Sequence, residues 1–179
     1  MNRSITTSRG NIILRDASPQ DAERYRDLRL FALQESPTAF GGDYETSLNH
    51  PMSHWEGRLT ADANGMVVFA EHNSQLAGMI GIRRRDSVKA KHSATIWGVY
   101  VRPEWRGLHI AEEMIETCCG WGDARAINIV KLAVVTTNTS AIRCYKRCGF
   151  EVYGTEPRAI FHENIYYDEY LMSRYLANP

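Results

Sequence analysis

No apolar run in this sequence is long enough to cross a membrane. The longest apolar stretches, Gly65 to Ala70 and Leu76 to Ile82, are far shorter than the roughly 20 residues that a membrane helix needs. The N-terminal segment MNRSITTSRGN also lacks the apolar core of a signal peptide. These absences predict a soluble, cytoplasmic protein without a membrane partner.

The sequence also lacks an excess of charge of either sign. Its 21 Lys and Arg residues are balanced by 21 Asp and Glu residues, so the formal net charge is zero. A chain without bulk positive potential has no general attraction for polyanions. We therefore expect no nucleic-acid partner.

Cysteine is scarce, and the four residues are Cys118, Cys119, Cys144 and Cys148. They have neither the paired spacing of a zinc site nor the density of a secreted disulfide scaffold. We expect buried, reduced thiols. His50 and His54 are spaced to share a helical face, but two histidines without a third ligand are typical of a surface, so no metal is expected.

The pattern along the 179 residues predicts one domain, spanning residues 1–179, with a mixed sheet. Domains near this length bury roughly 70 % of their unfolded surface, which is enough for a full core. Strands are expected at Ile12 to Arg15, Met66 to His72, Leu76 to Arg85, Ala94 to Arg102, Val130 to Thr136, Glu151 to Thr155 and Ile165 to Arg174. Helices are expected after Ser18, around Trp55 and Leu59, from Ile110 to about Arg125 and from about Ser140 to Cys148.

A first candidate site is VYVRPEWRGLHIA, residues 99–111, where a strand ends at a proline and a glycine loop leads into a helix. The free backbone N–H groups of a helix start, together with the helix dipole, attract an anion. Arg106 adds charge, and Gly107 lets the backbone approach a ligand closely. A purely structural loop explains this segment equally well when it is taken alone.

A second candidate site is NTSAIRCYKRCGF, residues 138–150, which follows the next strand directly. Asn138 is suited to cap a helix, and Gly149 is suited to end it. Tyr145 shares a helical face with Ala141 and Cys148, so this segment by itself favours a core tyrosine.

Together the two stretches resemble the signature regions of the GNAT superfamily of acyl-CoA-dependent N-acyltransferases. The first matches a V-x-V-x-P strand end with an Arg-x-x-Gly-x-Gly/Ala loop, and the second an Asn-x-x-Ala-x-x-x-Tyr-x-x-x-Gly-Phe helix. The resemblance covers about Met66 to Tyr153. It implies an α/β fold of the α+β type, with a mixed, mostly antiparallel central sheet flanked by helices. That sheet is splayed between two central strands to hold acetyl-CoA, the acyl donor.

The resemblance also assigns roles to individual residues. Val99 and Val101 would offer main-chain groups to the pantetheine arm, Asn138 would contact it, and Tyr145 would face the sulfur. Gly98 suits a bulge in the strand. The pyrophosphate would be held by the backbone of Arg106, Gly107, Leu108, His109, Ile110 and Ala111.

The chain departs from the family pattern at His109, where glycine is usual. Its amide stays available if the side chain points outward, and a protonated imidazole would assist binding. Glu112 and Glu113 in the first helical turn would repel a phosphate unless they aim away, so we expect surface residues that compensate the helix dipole.

The reaction that the resemblance implies is direct attack of an amine on the thioester, through a tetrahedral intermediate. A tyrosine, with a pKa of about 10 against about 8.5 for a thiol, can protonate the departing sulfur, and Tyr145 is the candidate. The strand ATIWGVYV has no carboxylate to act as the base. The general base is left open among Glu35, Asp43, Glu45, His72 and Glu163.

Two hypotheses follow. The chain is an acetyl-CoA-dependent N-acetyltransferase acting on a small-molecule or protein amine, or it is a catalytically weak acyl-CoA-binding regulatory module of the same fold. The presence of Tyr145 favours the enzyme. The aromatic residues from Tyr166 to Met172 are expected to be core residues or a homodimer contact.

Overall fold

The computed structural model describes residues 2–176, which are built around one sheet of eight strands. The strands are β1 (Asn2–Thr7), β2 (Gly10–Asp16), β3 (Gly65–His72), β4 (Gln75–Arg84), β5 (Ser93–Val101), β6 (Ile129–Val135), β7 (Glu151–His162) and β8 (Ile165–Tyr175). The helices are α1 (Ala22–Glu35), α2 (Tyr44–Leu48), α3 (Met52–Leu59), α4 (Ile110–Asp123) and α5 (Thr139–Arg147).

The strand order is β1-β2-β3-β4-β5-β6-β8-β7, and every neighbouring pair is antiparallel except β5 and β6. The predicted fold class, a mixed and mostly antiparallel sheet flanked by helices, is confirmed. The two predicted strands β3 and β4 form an antiparallel hairpin. Asn73 and Ser74 both adopt positive φ in its two-residue turn, as the tight turns that join twisted strands require.

Helices cover both faces of the sheet because side chains alternate along the strands. In β3, Val68 and Ala70 pack in the core that includes α4 and α5, whereas Val67 and Phe69 pack in the core beneath α1 and α3. All four side chains are buried. The strand therefore reads as a continuous apolar run, which is typical of a sheet covered on two sides.

The first long helix begins where the sequence predicts. Pro19–Asp21 forms a short 3-10 turn after Ser18, and α1 follows. The Asp21 carboxylate accepts from the Ser18 backbone N–H at 3.1 Å and from both Arg15 terminal nitrogens at 2.8 and 2.7 Å. Asp21 is buried, so the cap also anchors the helix to β2.

The structure differs from the predicted elements in three places. β1, Asn2–Thr7, was not predicted, because its polar residues form a largely exposed edge strand with little hydrophobic signal. β7 continues past Thr155 to His162, with a register shift between Glu156 and Ile160 that accommodates Pro157. Helix α2 was also not predicted; Asp43 caps it by accepting from the Thr46 N–H.

The sheet opens between β5 and β6. These strands pair only at Ser93–Thr95 with residues 129–131, and beyond this point they diverge. A bulge widens the opening, because three steps of β5, from Trp97 to Tyr100, oppose two steps of β4. Gly98 sits at the bulge with φ +65°, as predicted. The splayed pair of central strands is thereby confirmed.

Among the helices of residues 2–176, none combines the length and apolarity that crossing a bilayer requires. Cytoplasmic location stays a prediction.

Candidate active site

A cavity of about 410 Å³ occupies the opening between β5 and β6. Nine of the ten predicted catalytic and cofactor-binding residues line it: Val99, Val101, Arg106, Gly107, His109, Ile110, Ala111, Asn138 and Tyr145. The tenth, Leu108, does not line the cavity and packs partly buried against the core. Two segments separated by a whole strand in sequence thus meet around one space.

The start of α4 forms one end of this cavity. Gly107 has φ +76°, and His109, the residue that precedes the helix, has φ +58°. The first intrahelical bond runs from the Glu113 N–H to the His109 carbonyl at 3.1 Å, so the N–H groups of Ile110, Ala111 and Glu112 have no partner within the helix. Such a turn fits a diphosphate.

The left-handed backbone explains why glycine suits position 109 and why histidine is unusual there. A residue with a Cβ in this region costs roughly 1–2 kcal/mol. The His109 side chain is 73 % exposed, and its Nδ1 lies 3.1 Å from the Glu112 carboxylate. The imidazole therefore points outward and leaves the loop amides accessible.

The two acidic residues of the first α4 turn are both paired. Glu112 accepts from Arg147 of α5 at 2.5 Å, and Glu113 from Arg3 of β1 at 2.7 Å. Glu112 also lines the cavity. Because each carboxylate has a guanidinium partner, its repulsion of a nearby phosphate is reduced.

Arg106 is held by a partner that the sequence did not indicate. Its two terminal nitrogens donate to Glu35 at 3.0 and 2.7 Å, and its Nε donates to the Val101 carbonyl at 2.9 Å. The Tyr100 hydroxyl donates to the same carboxylate at 3.3 Å. Hydrogen bonding from Arg106 lowers the pKa of Glu35, so this carboxylate is a weak base.

Tyr145 stands on α5 with its ring beside Phe150, at a centroid distance of 6.3 Å. The residue is only 7 % exposed, yet it lines the cavity. Burial raises the pKa of its hydroxyl, so the proton is retained at neutral pH. Within residues 2–176 the hydroxyl has no hydrogen-bond partner, which leaves its proton available to a bound group.

Asn138 caps α5, as predicted. Its side-chain oxygen accepts from the Ala141 N–H at 3.2 Å and from the Ser140 hydroxyl at 3.0 Å. The cap fixes the start of the helix at the cavity wall. Seven residues of the cap and helix line the space: Asn138, Ser140, Ala141, Arg143, Cys144, Tyr145 and Arg147.

Among the five base candidates, Glu35 is hydrogen-bonded to two residues that line the cavity, Arg106 and Tyr100. Asp43 and Glu45 line a separate groove against β7. His72 packs on Trp105 and faces the Asn11 carbonyl, and Glu163 lies in the exposed β7–β8 turn. The general base is not assigned.

The four cysteines are all free and buried, as predicted. Burial raises the pKa of Cys118 and Cys119, which is typical of inert core thiols. Within the part of the chain that the structure describes, no three His, Cys, Asp or Glu side chains are grouped to hold a metal ion.

Comparison with known proteins agrees with this geometry. Residues 28–150 match the sequence profile of the Acetyltransferase (GNAT) family. The chain is 28 % identical over 169 residues to the L-amino acid N-acetyltransferase AaaT of Escherichia coli K12, covering 91 % of this chain and 97 % of that protein.

Solved structures show the same fold. A GNAT-family acetyltransferase from Streptococcus pneumoniae superposes with a TM-score of 0.81 at 20 % identity, covering 93 % of this chain and 99 % of that one. YncA from Salmonella typhimurium, solved with its cofactor acetyl-CoA, gives 0.78 at 16 % identity, with 95 % and 96 % covered. This protein belongs to the GNAT family of acetyltransferases. Its acyl donor is acetyl-CoA, and its acceptor is an amine.

Proposed function

We propose that this protein transfers the acetyl group of acetyl-CoA to the α-amine of a free L-amino acid. The single observation that supports the site is the cavity in which the α4 start, the open edge of β5 and Tyr145 meet. The acceptor class is supported by similarity to AaaT, an L-amino acid N-acetyltransferase, over nearly the full length of both chains.

The proposed acetyl-CoA site lies along the cavity between β5 and β6. The diphosphate would accept hydrogen bonds from backbone N–H groups between Arg106 and Ala111, where the helix dipole also favours negative charge. The pantetheine would lie along Val99 and Val101, whose β5 backbone has no β6 partner beyond Thr95. This placement directs the thioester toward the bulge at Gly98.

The chemistry is one substitution at the thioester carbon. The neutral amine forms a C–N bond and gives a tetrahedral intermediate, and the C–S bond then breaks as the carbonyl reforms. The Tyr145 hydroxyl would give its proton to the leaving sulfur, while the amine proton passes to solvent. The protein contributes position and a proton, because acetyl-CoA supplies the activated acyl group.

The regulatory-module alternative is not favoured, because a Tyr145 hydroxyl without a protein partner has no structural use. A binding module would keep the cleft and would not need this proton donor.

The test has two arms. Acetyl-CoA at a hundredfold excess over its Kd should stabilise the native protein by about 2.7 kcal/mol, seen as a rise in Tm, whereas free adenine should do little.

A panel of L-amino acids, amino acid amides, simple amines and peptides is then assayed for thiol release, with mass spectrometry of the products. Turnover of peptides alone would contradict the proposed acceptor class.

A further inference from the structure

Arg29 is a partly buried cation for which residues 2–176 provide no acidic partner. It lies in α1, and its Nη1 atom is buried without a hydrogen-bond partner. Its guanidinium stacks over the Phe40 ring, with Cζ 4.2 Å from the ring centre. No acidic side chain within residues 2–176 forms a salt bridge with it. An isolated buried charge is costly, and such charges are normally paired.

A second guanidinium increases the cost. Burial chiefly lowers the pKa of Arg29, and the positive charge of Arg58 lowers it further. Arg58 belongs to α3, stacks on Trp97 and donates to the Tyr25 hydroxyl at 3.2 Å. Two like charges held together without a carboxylate between them are unfavourable in the free protein. They become favourable when an anion binds.

Both arginines line one small cavity of about 220 Å³ between α1, α2 and α3. Trp55 lines it as well, and its indole Nε1–H is likewise buried without an acceptor. Asp43 is the acidic residue in the lining, and its carboxylate is engaged in capping α2 by accepting from Thr46. Two residues that each carry an unsatisfied donor thus line this cavity, while the carboxylate of Asp43 is occupied.

The Arg29 guanidinium also adjoins the acetyl-CoA cleft. A Cβ built on Gly98 would lie 4.0 Å from Nη1, so the cation faces the β5 bulge directly. The next residue, Val99, and the ring of Phe40 both line the cleft. Arg29 itself lines the smaller cavity and not the cleft, so an acceptor held there would extend past Phe40 toward the proposed position of the thioester.

We propose that Arg29, assisted by Arg58, binds the α-carboxylate of the acceptor and so determines specificity for amino acids over plain amines. The inference rests on the proposed acceptor class. A carboxylate offers two oxygens to the guanidinium fork and neutralises a charge that the fold leaves unpaired. Its own α-amine, one carbon away, is then directed toward the β5 bulge.

The experiment measures kcat/KM for the best L-amino acid and for its α-amide, which keeps the amine and the side chain but loses the carboxylate. Arg29→Met keeps an unbranched apolar side chain but removes the charge and the guanidinium that stacks on Phe40. We expect it to lower kcat/KM for the acid by about 10- to 100-fold relative to its effect on the amide. Comparing variant with parent for each acceptor cancels the different basicity of the two amines.

Three further readouts separate this role from a structural one. The Tm of Arg29→Met should be unchanged or higher, because an unpaired buried charge is lost. Arg29→Lys, which keeps the charge but not the fork, should retain part of the preference for the acid. Arg26→Met, on the same helix and outside both cavities, should behave like the parent. Equal losses on acid and amide, or no loss on either, would overturn the proposal.

Failure of the proposed function gives a different result, namely a parent protein that acetylates no amino acid. In that case a binding measurement tests the carboxylate site. Calorimetry of the CoA complex with an N-acetyl amino acid and with its amide should show tighter binding of the acid by the parent, and no such preference by Arg29→Met. Equal affinity of the parent for both compounds would overturn the carboxylate site.

Discussion

Glu35 at the end of α1 and Arg106 in the loop before α4 form a two-pronged ion pair although 71 residues separate them. Both oxygens of the carboxylate are used, at 3.0 and 2.7 Å from the two terminal nitrogens. The bond ties the end of α1 to the loop that would hold the diphosphate.

We expect Glu35→Gln to destabilise the protein by about 0.2–1 kcal/mol at pH 7, because the pair is partly exposed. Arg106 lowers the pKa of Glu35 below its ordinary 4.5, so its contribution is present above that value and is lost as pH falls through the depressed one. The Tm difference between parent and variant should therefore vanish in acid. A fall in kcat of more than a hundredfold with unchanged acetyl-CoA affinity would instead support Glu35 as the base.

Tyr145→Phe should lower kcat by about 10²–10⁴ while leaving acetyl-CoA affinity nearly unchanged, if the hydroxyl protonates the sulfur. Stability should also change little, because the hydroxyl bonds to no group within residues 2–176. Tyr100→Phe is the matched control: it removes a hydroxyl that donates to Glu35 and should cost about 1 kcal/mol with little loss of turnover. A Tyr145→Phe enzyme within threefold of the parent in kcat would leave proton delivery to water.

His109→Gly should raise stability by about 1 kcal/mol, because glycine adopts φ +58° without strain. His109→Ala separates the two effects, since it removes the imidazole but keeps the Cβ. Thermal melts should place the glycine variant above the alanine variant, with acetyl-CoA binding preserved or tightened in the former. Equal weakening of binding in both variants would mean that the imidazole contacts phosphate.

Gly98→Ala should cost roughly 1–2 kcal/mol, because the bulge holds this residue at φ +65°. The cost is conformational, since the nearest atom to a new Cβ would be Arg29 Nη1 at 4.0 Å. Gly57→Ala in α3 is the control, as nothing lies within 4 Å of its Cβ position and alanine favours a helix by up to about 1 kcal/mol. Chemical denaturation of both variants should give changes of opposite sign, and the same sign for both would refute the strained bulge.

Local signals predicted much of the scaffold. Helix α4 begins at Ile110 as expected, and α5 lies within a residue of the predicted segment at each end, because a cap and a glycine mark its limits. Strand β1 was missed because an exposed edge strand needs no apolar alternation. Sequence patterns indicate buried positions and helix caps. An element that has neither is therefore hard to predict from the sequence.

The charged contacts of the site could not be predicted in the same way. Arg29 and Glu35 are two of many charges on α1, and nothing in their spacing distinguishes them from solvated residues. Their significance comes from Phe40, Gly98 and Arg106, which only the folded chain brings to them. Position 109 did carry a signal, because a glycine preference indicates a positive φ.

The short pairing of β5 with β6 has a mechanical consequence. Strands β1 to β5 form one hydrogen-bonded ribbon and β6 to β8 another, and a seam of three residue positions joins them. This seam has the fewest paired positions of any two neighbouring strands in the sheet. A pantetheine bound along β5 would connect the two parts of the sheet. Amide hydrogen exchange in β5 and in β6 should therefore slow together when the donor binds.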